Sequence, residues 1–567
     1  MKNAARQVKT KRLALALSLV SCGAIAAGGL RAASDFPIRV NQVGYVPGAP
    51  KFCTMMNPPG ATFVVQKSDT DVHWHTVCEG RWQDAPSGSA LKVGDFSAIT
   101  EPGDYRILTA TNGLTKFRMP DWRADRQSYH FQVRDGVYDT LERTLFSYVR
   151  LQRCGDDLGW AGRCHQEPVP LLDAEGRTVR TIDARGGYHQ SCDLRCWHDG
   201  ISMSLYALLR YRELSKLAWD KGELLAEIRR GCDYFLKVIA PEGYVHDAQF
   251  APIGWGPTHY YLAPATLGAQ CNVLMLFARA SKLFRADDRN YADRLLAAAK
   301  GIWTQVEGNP FFATFQPAPE KNLPPGAQPA EKCYRRQFRT SAAGLAERAA
   351  AALELSRVTG DAALGEKARR LAREHLVARD REGRETWSDW SYCFTISGRR
   401  LLVELVRTDG TDEWRRALSE EVDGIVRDLE AADMNPSRSN PARASSSRAA
   451  ANAVKLSEAA ALLDRPDLLA FAQRSLDWIL GANPWNASYV EGIGQRQWQR
   501  PVFGQFFPST PQIPGGVLHV PNGEYDMPPT MMTLWACARL RAAVKALSAA
   551  AAAGTGRRRA NPRGRTS

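Results

Sequence analysis

The stretch 224–236, Leu-Leu-Ala-Glu-Ile-Arg-Arg-Gly-Cys-Asp-Tyr-Phe-Leu, indicates the fold class of most of the chain. Its apolar residues Leu224, Ile228 and Tyr234-Phe235-Leu236 recur at the spacing of a helix with one buried face. Comparable patterns follow one another from residue 135 to residue 548 without a strand-like run between them, which predicts an all-α domain. The twelve predicted helices are 136–152, 196–214, 221–239, 263–284, 290–306, 338–359, 361–379, 392–407, 413–432, 443–463, 466–481 and 528–548. An even number of hairpin-like helix pairs is compatible with a closed double ring.

Residues 34–134 have a different period. Short apolar runs such as Ile38–Asn41, Thr62–Val65, Gly103–Ile107 and His130–Val133 are separated by Gly, Pro and Asn. Runs of this length and spacing are typical of a β-sandwich. The chain is therefore predicted to carry a β-sandwich before the helical domain.

The chain has 567 residues and a formal net charge of +14, which at first suggests a nucleic-acid partner. However, residues 1–33 contain six basic and no acidic residues, and residues 549–567 contain five basic and no acidic residues. The rest of the chain is nearly neutral, and it has no zinc-finger spacing or recognition-helix pattern. These features argue against nucleic-acid binding.

Residues 1–33 are predicted to be a signal peptide, because five positive charges precede the uncharged run Leu13–Ala27. That run is too short for a comfortable membrane span. An alternative is a lipoprotein signal at Leu19-Val20-Ser21-Cys22, with a lipid anchor on Cys22. Either way we expect export, to the periplasm or outside the cell, with no membrane span in the mature chain. Residues 549–567 are predicted to be a disordered basic tail.

Several motifs occur in the order found in one enzyme family. They are Phe36-Pro37-Ile38-Arg39-Val40-Asn41-Gln42-Val43-Gly44-Tyr45, Gln152-Arg153-Cys154-Gly155, Cys164-His165, Gly186-Gly187-Tyr188-His189 and Leu480-Gly481-Ala482-Asn483-Pro484. Together they resemble glycoside hydrolase family 9, the cellulase family, with its N-terminal immunoglobulin-like domain. The resemblance implies an immunoglobulin-like sandwich over 34–134 and an (α/α)6 barrel over 135–548.

Two cysteines and two histidines form a candidate metal site: Cys154, Cys164, His165 and His189. Two thiolates and two imidazoles suit a closed, tetrahedral, structural zinc. The resemblance supports zinc, because relatives with the immunoglobulin-like domain bind it at matching positions. The alternatives are two ordinary buried cysteines or a Cys154–Cys164 disulfide. The sequence shows no clear acidic cluster for calcium, so calcium remains an open question.

The resemblance also implies the catalytic residues. Asp193 matches the family's catalytic base, whereas Gln190 replaces an Asp that helps to position the water. Glu524 is the best match to the family's acid, although Gly523 is an insertion relative to the family's Asn-Glu step. Asp193 could instead cap the next helix, and Glu524 could be a solvated loop residue. The weaker alternatives are Asp199 for the base, and Asp526 and then Glu491 for the acid.

Aromatic residues concentrated in the long loops predict a carbohydrate-binding cleft. The substrate-binding candidates are Trp255, His259, Tyr260, Trp387, Trp390, Trp498 and Arg500, with Tyr261 and Tyr392 beside them. Arg500 matches the last position of the family's Pro-His-His-Arg segment, but Trp498 and Gln499 replace both histidines. For any single aromatic residue, core packing is the main alternative.

The resemblance, together with the predicted signal peptide, thus implies an exported, inverting glycoside hydrolase that cleaves β-1,4 bonds between glucose units. We expect its partner to be cellulose, cello-oligosaccharide or a related β-glucan, and the protein to be a monomer. Action of the same fold on another β-linked glycan is one alternative. A non-catalytic glycan-binding protein is the other.

Overall fold

The computed structural model describes sixteen stretches of the chain. They are residues 36–70, 73–109, 127–172, 178–192, 194–215, 220, 222–240, 242–246, 248–250, 261–262, 265–308, 341–382, 398–436, 445–498, 513–521 and 523–559. Within them, no helix has the length and apolar character needed to cross a membrane.

In the described part of the N-terminal domain, eight strands form two sheets. The strands are β1 Gly44–Tyr45, β2 Phe52–Met56, β3 Thr62–Ser68, β4 Trp74–Arg81, β5 Gln83–Asp84, β6 Leu91–Asp95, β7 Gly103–Thr109 and β8 Phe131–Val133. One sheet has the order β1-β8-β7-β3-β4 and the other the order β2-β6-β5. Side chains of both sheets, including Cys53, Phe63 and Phe131, form a separate buried cluster, as expected for a sandwich.

The predicted strand Ile38–Asn41 is wrong in one respect. The segment forms only isolated bridges, from Ile38 to Ser128 and from Arg39 to Thr54. The reason lies in the next residue, because the backbone N–H of Gln42 donates to the carbonyl of Leu480 in the helical domain (2.9 Å). This segment therefore serves the contact between domains rather than extending a sheet.

Twelve α-helices occur in the described part of the helical domain, each overlapping one predicted segment. They are α1 Asp139–Arg150, α2 His198–Leu214, α3 Glu223–Val238, α4 Leu267–Phe284, α5 Arg289–Gly308, α6 Ser341–Thr359, α7 Ala362–Glu382, α8 Leu401–Asp409, α9 Asp412–Ala431, α10 Ser446–Leu462, α11 Leu468–Ile479 and α12 Met527–Arg559. Helix α12 continues past residue 548, so residues 549–559 of the predicted tail are helical.

Alternate helices form an inner set. In chain order, α2, α4, α6, α8, α10 and α12 each pack against the next, and α12 packs back against α2. Most side chains of α2 and α4 are buried all round, whereas α3 and α9 bury one stripe. A helix that is buried on every side belongs to the interior of a domain, and one with a single stripe belongs to its outside.

The helical domain also contains short strands that periodicity did not predict. They are β9 Val169–Leu172, β10 Thr178–Ile182, β11 Cys196–Trp197, β12 Ala248–Phe250 and β13 Tyr261–Leu262, in one sheet of order β10-β9-β13-β12-β11, and the pair β14 Val517–Leu518 and β15 Tyr525–Asp526. They lie within the long loops, whose backbone groups need hydrogen-bond partners where they cover the ends of helices. These strands are too short for a sequence period to be visible.

A buried ionic network connects three inner helices, α8, α10 and α12. Arg400 donates to Glu458 (2.8 Å) and to Glu404 (2.7 Å). Its guanidinium also lies 4.4 Å from the ring centroid of Trp535 on α12. Arg407 donates to the same two glutamates. Each buried charge therefore has partners, which is the condition for tolerating charge in a core.

The two domains are joined through a buried amide–carboxylate contact. Asn41 Nδ2 donates to Asp477 Oδ1 on α11 (2.8 Å), and Gln473 donates to the same oxygen (2.7 Å). Burial raises the pKa of Asp477 to about 7, against the hydrogen bonds from Gln473 and Asn41. Next to it, the Gln42 side chain donates to the carbonyl of Asn486 (3.0 Å) and packs against Gly481. The sandwich is thus fixed directly to the segment 477–486.

Candidate active site and metal site

The four predicted metal ligands come together in one cluster. The ligand atoms of Cys154, Cys164, His165 and His189 all lie within 4.8 Å of one another. The Sγ atoms of Cys154 and Cys164 are 3.6 Å apart, and Cys164 Sγ is 2.9 Å from His189 Nε2. Both cysteines are free thiols, so the disulfide alternative is wrong. Among the described residues, this is the one group of three or more such side chains close enough to hold a metal.

The donor set fits a tetrahedral zinc. With Zn–S bonds of about 2.3 Å, the two sulfurs of a tetrahedral site lie about 3.8 Å apart, close to the observed separation. The hydrogen bond with Cys154, and then burial, raise the pKa of the Cys164 thiol, so a cation is needed to hold it as a thiolate. Burial lowers the pKa of His189, which favours the neutral imidazole that binds metals.

The backbone around the cluster connects it to the predicted base segment. The N–H of Cys154 donates to the carbonyl of Gly187 (2.8 Å), and the N–H of His189 donates to the carbonyl of Gln152 (2.8 Å). His165, with a φ of +49°, adopts a left-handed conformation that is uncommon for a residue with a side chain. A metal at this site would hold His189 immediately before Gln190.

The base segment pairs with the segment that carries the predicted acid. Ser191 forms a β-bridge with Asp526. The N–H of Met527, the first residue of α12, donates to the carbonyl of Gln190 (2.8 Å). Cys192 is buried against the carbonyl of Tyr525. These contacts bring together residues that are far apart in the sequence and that both precede an inner helix.

Asp193 itself lies outside the described residues, but its neighbours define its setting. Cys192 before it is buried, and Leu194 after it has a φ of +61°. Helix α2 begins at His198, with Trp197 at the N-cap position. Asp199, the alternative base, is fully buried in the first turn of α2, where its carboxylate accepts the N–H of Gly200 (2.6 Å).

Glu524 is held in a tight hairpin with His519. The N–H of His519 donates to the carbonyl of Glu524 (3.0 Å), and the N–H of Glu524 donates to His519 Nδ1 (3.3 Å). Burial lowers the pKa of His519 to about 4, so its ring is neutral and can accept that bond. A Cβ atom at Gly523 would lie 2.8 Å from the His519 ring, which explains why a glycine occurs at the inserted position. Only 8% of Glu524 is exposed, so the solvated-loop alternative is wrong.

The side chains of Gln190 and Asp526 meet beside Glu524. Gln190 Nε2 lies 3.5 Å from Asp526 Oδ2. Gln190 Oε1 is buried and has no hydrogen-bond partner among the residues that the structure describes. The amide therefore keeps an acceptor atom that a water molecule could use.

Tyr148 is a member of this site that the sequence did not reveal. Its phenol is buried at the end of α1, and its pKa is raised first by burial and then by the nearby Cys192, Asp526 and Glu524. Tyr148 therefore lies close to both carboxylates. The sequence signal that could have identified Tyr148 is its position four residues before Gln152, which begins the motif that contains Cys154.

Comparison with known proteins identifies the families of both domains. The sequence model described as "Glycosyl hydrolase family 9" matches residues 138–505, and the one described as "Cellulase N-terminal ig-like domain" matches residues 33–113.

The chain belongs to glycosyl hydrolase family 9.

The relatives of this family 9 member include a cellodextrinase from Butyrivibrio fibrisolvens. It is 23% identical over 500 residues, which is 82% of this chain and 86% of the relative. Endoglucanase D from Acetivibrio thermocellus is 23% identical over 305 residues, covering 49% of this chain and 46% of the relative. The family-9 resemblance is confirmed, and the chain is a glycoside hydrolase of the cellulase type.

Solved structures show the same fold. A metagenome-derived family 9 endoglucanase has a TM-score of 0.65 at 20% identity, covering 89% of this chain and 98% of the other. A family 9 protein from Bacteroides ovatus has a TM-score of 0.65 at 18% identity, covering 90% and 99%. Both cover the sandwich and the helical domain together.

The structure describes some of the remaining predicted site residues of this family 9 enzyme and not others. Trp498 lies in an aromatic cluster, with its ring centroid 5.2 Å from Trp485 and 5.7 Å from Tyr489. The Tyr525 hydroxyl donates to Glu491, and since successive strand residues point to opposite faces, Glu491 lies on the other face from Asp526. The other substrate-binding candidates, Trp255, His259, Tyr260, Trp387, Trp390 and Arg500, lie outside the described residues, as do Tyr392 and the side chain of Tyr261.

Proposed function

We propose that the protein is an exported, inverting hydrolase of β-1,4-glucosidic bonds in cello-oligosaccharides and accessible β-glucans. The observation that carries the proposal is the pairing of segment 190–192 with segment 525–527. This pairing supports a base at Asp193 facing an acid at Glu524. The packing of α12 back against α2 supports a closed (α/α)6 barrel, and the charge pattern of residues 1–33 supports export.

Each carboxylate has a defined role in this mechanism. Glu524 donates a proton to the glycosidic oxygen as the bond to C1 breaks. Asp193 takes a proton from the water that attacks C1 from the opposite face, which inverts the configuration. Glu524 leaves the step as a carboxylate and Asp193 as a carboxylic acid, and proton exchange with solvent restores both.

Gln190 orients the attacking water without carrying charge. Its Nε2 faces Asp526, so its orientation is fixed and Oε1 is left to accept a hydrogen bond from the water. An amide accepts such a bond but cannot take the proton. General-base function therefore rests on Asp193 alone.

Zinc in the Cys154, Cys164, His165 and His189 cluster would have a structural role. Four protein ligands leave no open position for water or substrate. The ion would fix the loop that runs from Cys154 to His189, and with it the backbone of Gln190. It takes no part in bond cleavage.

The test is sugar release from a panel of β-linked glycans, with the anomer of the first product read by NMR. We expect release from cello-oligosaccharides with the α-anomer appearing first, and a loss of about 10³-fold or more in kcat for Glu524→Gln and Asp193→Ala. Azide should restore part of the activity of Asp193→Ala, because a small anion can replace the activated water.

Glu491→Gln is the matched control, since it removes a nearby carboxylate on the other side of β15. It should keep kcat within about tenfold. A parent that releases sugar only from a different β-linked glycan would change the substrate, whereas binding without release would point to a non-catalytic protein. Equal activity of the parent, Glu524→Gln and Asp193→Ala would refute the proposed roles.

A further inference from the structure

A cavity of about 370 Å³ lies between the sandwich and the helical domain. The sandwich contributes Arg39 and strand β2, and the helical domain contributes residues 432–435, Arg474 and the segment that follows α11. None of these residues belongs to the proposed catalytic or zinc site. The cavity is therefore a separate feature, formed only when both domains are in place.

Two arginines line this cavity without a carboxylate partner. Within the described ranges, neither Arg39 nor Arg474 forms an ion pair or donates a side-chain hydrogen bond. The Arg474 guanidinium lies 5.4 Å from the ring centroid of Phe52. The enclosed arginines of the core differ, because Arg400 and Arg407 are each bonded to glutamates.

The acidic residues in the cavity wall compensate the positive charges of Arg39 and Arg474 only weakly. Asp433 accepts the hydroxyl of Ser87, and Asp477 accepts the amides of Asn41 and Gln473. Burial lowers the pKa of Arg39, against the charge of Asp433. Burial also lowers the pKa of Arg474, against the charges of Asp477, Glu430 and Asp433. Both arginines remain partly exposed, so their guanidinium groups are open to a ligand in the cavity.

The backbone of the cavity wall is strained. Asp433 and Met434 are consecutive residues with φ of +51° and +65°. This left-handed conformation is unfavourable for residues with a side chain. Strain of this kind is held where the surrounding structure requires it, which often is at a ligand site.

We propose that this cavity binds a small organic anion, a carboxylate or phosphate carried on a body about the size of a monosaccharide, through Arg39 and Arg474. A guanidinium group binds both kinds of anion with paired hydrogen bonds. Phe52 and Leu91 supply an apolar wall for the body of the ligand. Because the ligand contacts both domains, its binding stabilises their association.

The experiment measures binding to the full chain by calorimetry and thermal unfolding at constant ionic strength. The probes are glucuronate, glucose 6-phosphate, inorganic phosphate and neutral glucose. We expect saturable binding of at least one organic anion and none of glucose. Whether glucuronate or glucose 6-phosphate binds more tightly identifies the acidic group as a carboxylate or a phosphate.

Arg39→Gln and Arg474→Gln should each weaken binding by tenfold or more. Arg106→Gln is the matched control, because Arg106 also lies over an aromatic ring, Trp74 at 4.5 Å, but elsewhere on the sandwich. It should bind as the parent does. If the cavity variants fail to fold, the comparison of organic anions with glucose on the parent still decides. Equal effects of glucose and the anions, binding of phosphate alone, or unchanged binding by both cavity variants would overturn the proposal.

Discussion

Asn41→Ala tests the contact that fixes the sandwich to the helical domain. The Asn41 side chain donates to Asp477 Oδ1 (2.8 Å) and accepts the N–H groups of Val43 (2.9 Å) and Gly44 (3.1 Å). Alanine removes all three hydrogen bonds at once. It also leaves the buried carboxylate with Gln473 as its one remaining side-chain donor among the described residues.

The size of the effect follows from these contacts. A hydrogen bond to a charged group contributes about 1.5–3 kcal/mol, and each buried donor left without an acceptor costs about 1–3 kcal/mol. Since Val43 is partly exposed, its N–H can reach water. We therefore expect Asn41→Ala to lower the free energy of unfolding by about 3–5 kcal/mol.

The loss should depend on pH. The pKa of Asp477 is about 7 in the folded protein against an ordinary value of 3.8. Because the folded pKa is the higher one, stability from this group is complete below about pH 4 and is lost as the pH rises through 7. This difference corresponds to about 4 kcal/mol. Asp477→Asn removes this titration, so the parent should lose up to that amount relative to it between pH 4 and pH 8.

Urea unfolding at pH 5 and pH 8 measures both effects. The cost of Asn41→Ala should be larger at pH 8, where Asp477 is ionised and needs its donor. Gln132→Ala is the control, since it removes an amide–carboxylate bond to Asp104 (2.9 Å) that is exposed, and it should cost less than about 1 kcal/mol. A cost below about 1 kcal/mol for Asn41→Ala, the same at both pH values, would refute the reasoning.

Three further predictions concern other parts of the chain. Metal analysis should find one zinc per chain in the parent and less in Cys164→Ser. A chelator should lower the thermal midpoint of the parent only. Absence of bound metal in the parent would contradict this prediction. Glu458→Gln should cost about 3–5 kcal/mol in urea unfolding, because it leaves Arg400 and Arg407 undercompensated in the core, and a change within 1 kcal/mol would contradict it. Gly44→Ala should destabilise the sandwich by more than about 2 kcal/mol in thermal unfolding, since its Cβ would lie 2.0 Å from the Gln132 carbonyl at a φ of +131°; a folded variant with an unchanged midpoint would contradict it.

Helices were the most predictable part of the chain. Their apolar stripes repeat over three or more turns, so α3 and α4 were predicted within a few residues of their bounds. Strands β9 and β10 were not predicted, because four or five residues give no clear period. Whether the helices pack in a ring is a tertiary property that no single segment encodes.

The site was predicted in part, for an equally physical reason. Cys154, Cys164, His165 and His189 are chemically distinctive, and their types and order identified the cluster. Tyr148 and His519 are common core residues. The importance of Tyr148 follows only from the carboxylates near its phenol, and that of His519 only from its contact with the backbone of Glu524. The pairing of Ser191 with Asp526 depends on the packing of α12 against α2 and could not be inferred from spacing.

The contact between Gln190 and Asp526 joins residues 336 positions apart in the sequence. Closing a loop of that length costs about 5 kcal/mol of chain entropy, and distant contacts of this kind form slowly. The segments that carry the proposed base and acid therefore come together only after α12 has docked on α2. During refolding, the helical circular dichroism signal should recover first and glycosidase activity later. Recovery of activity therefore reports when folding is complete.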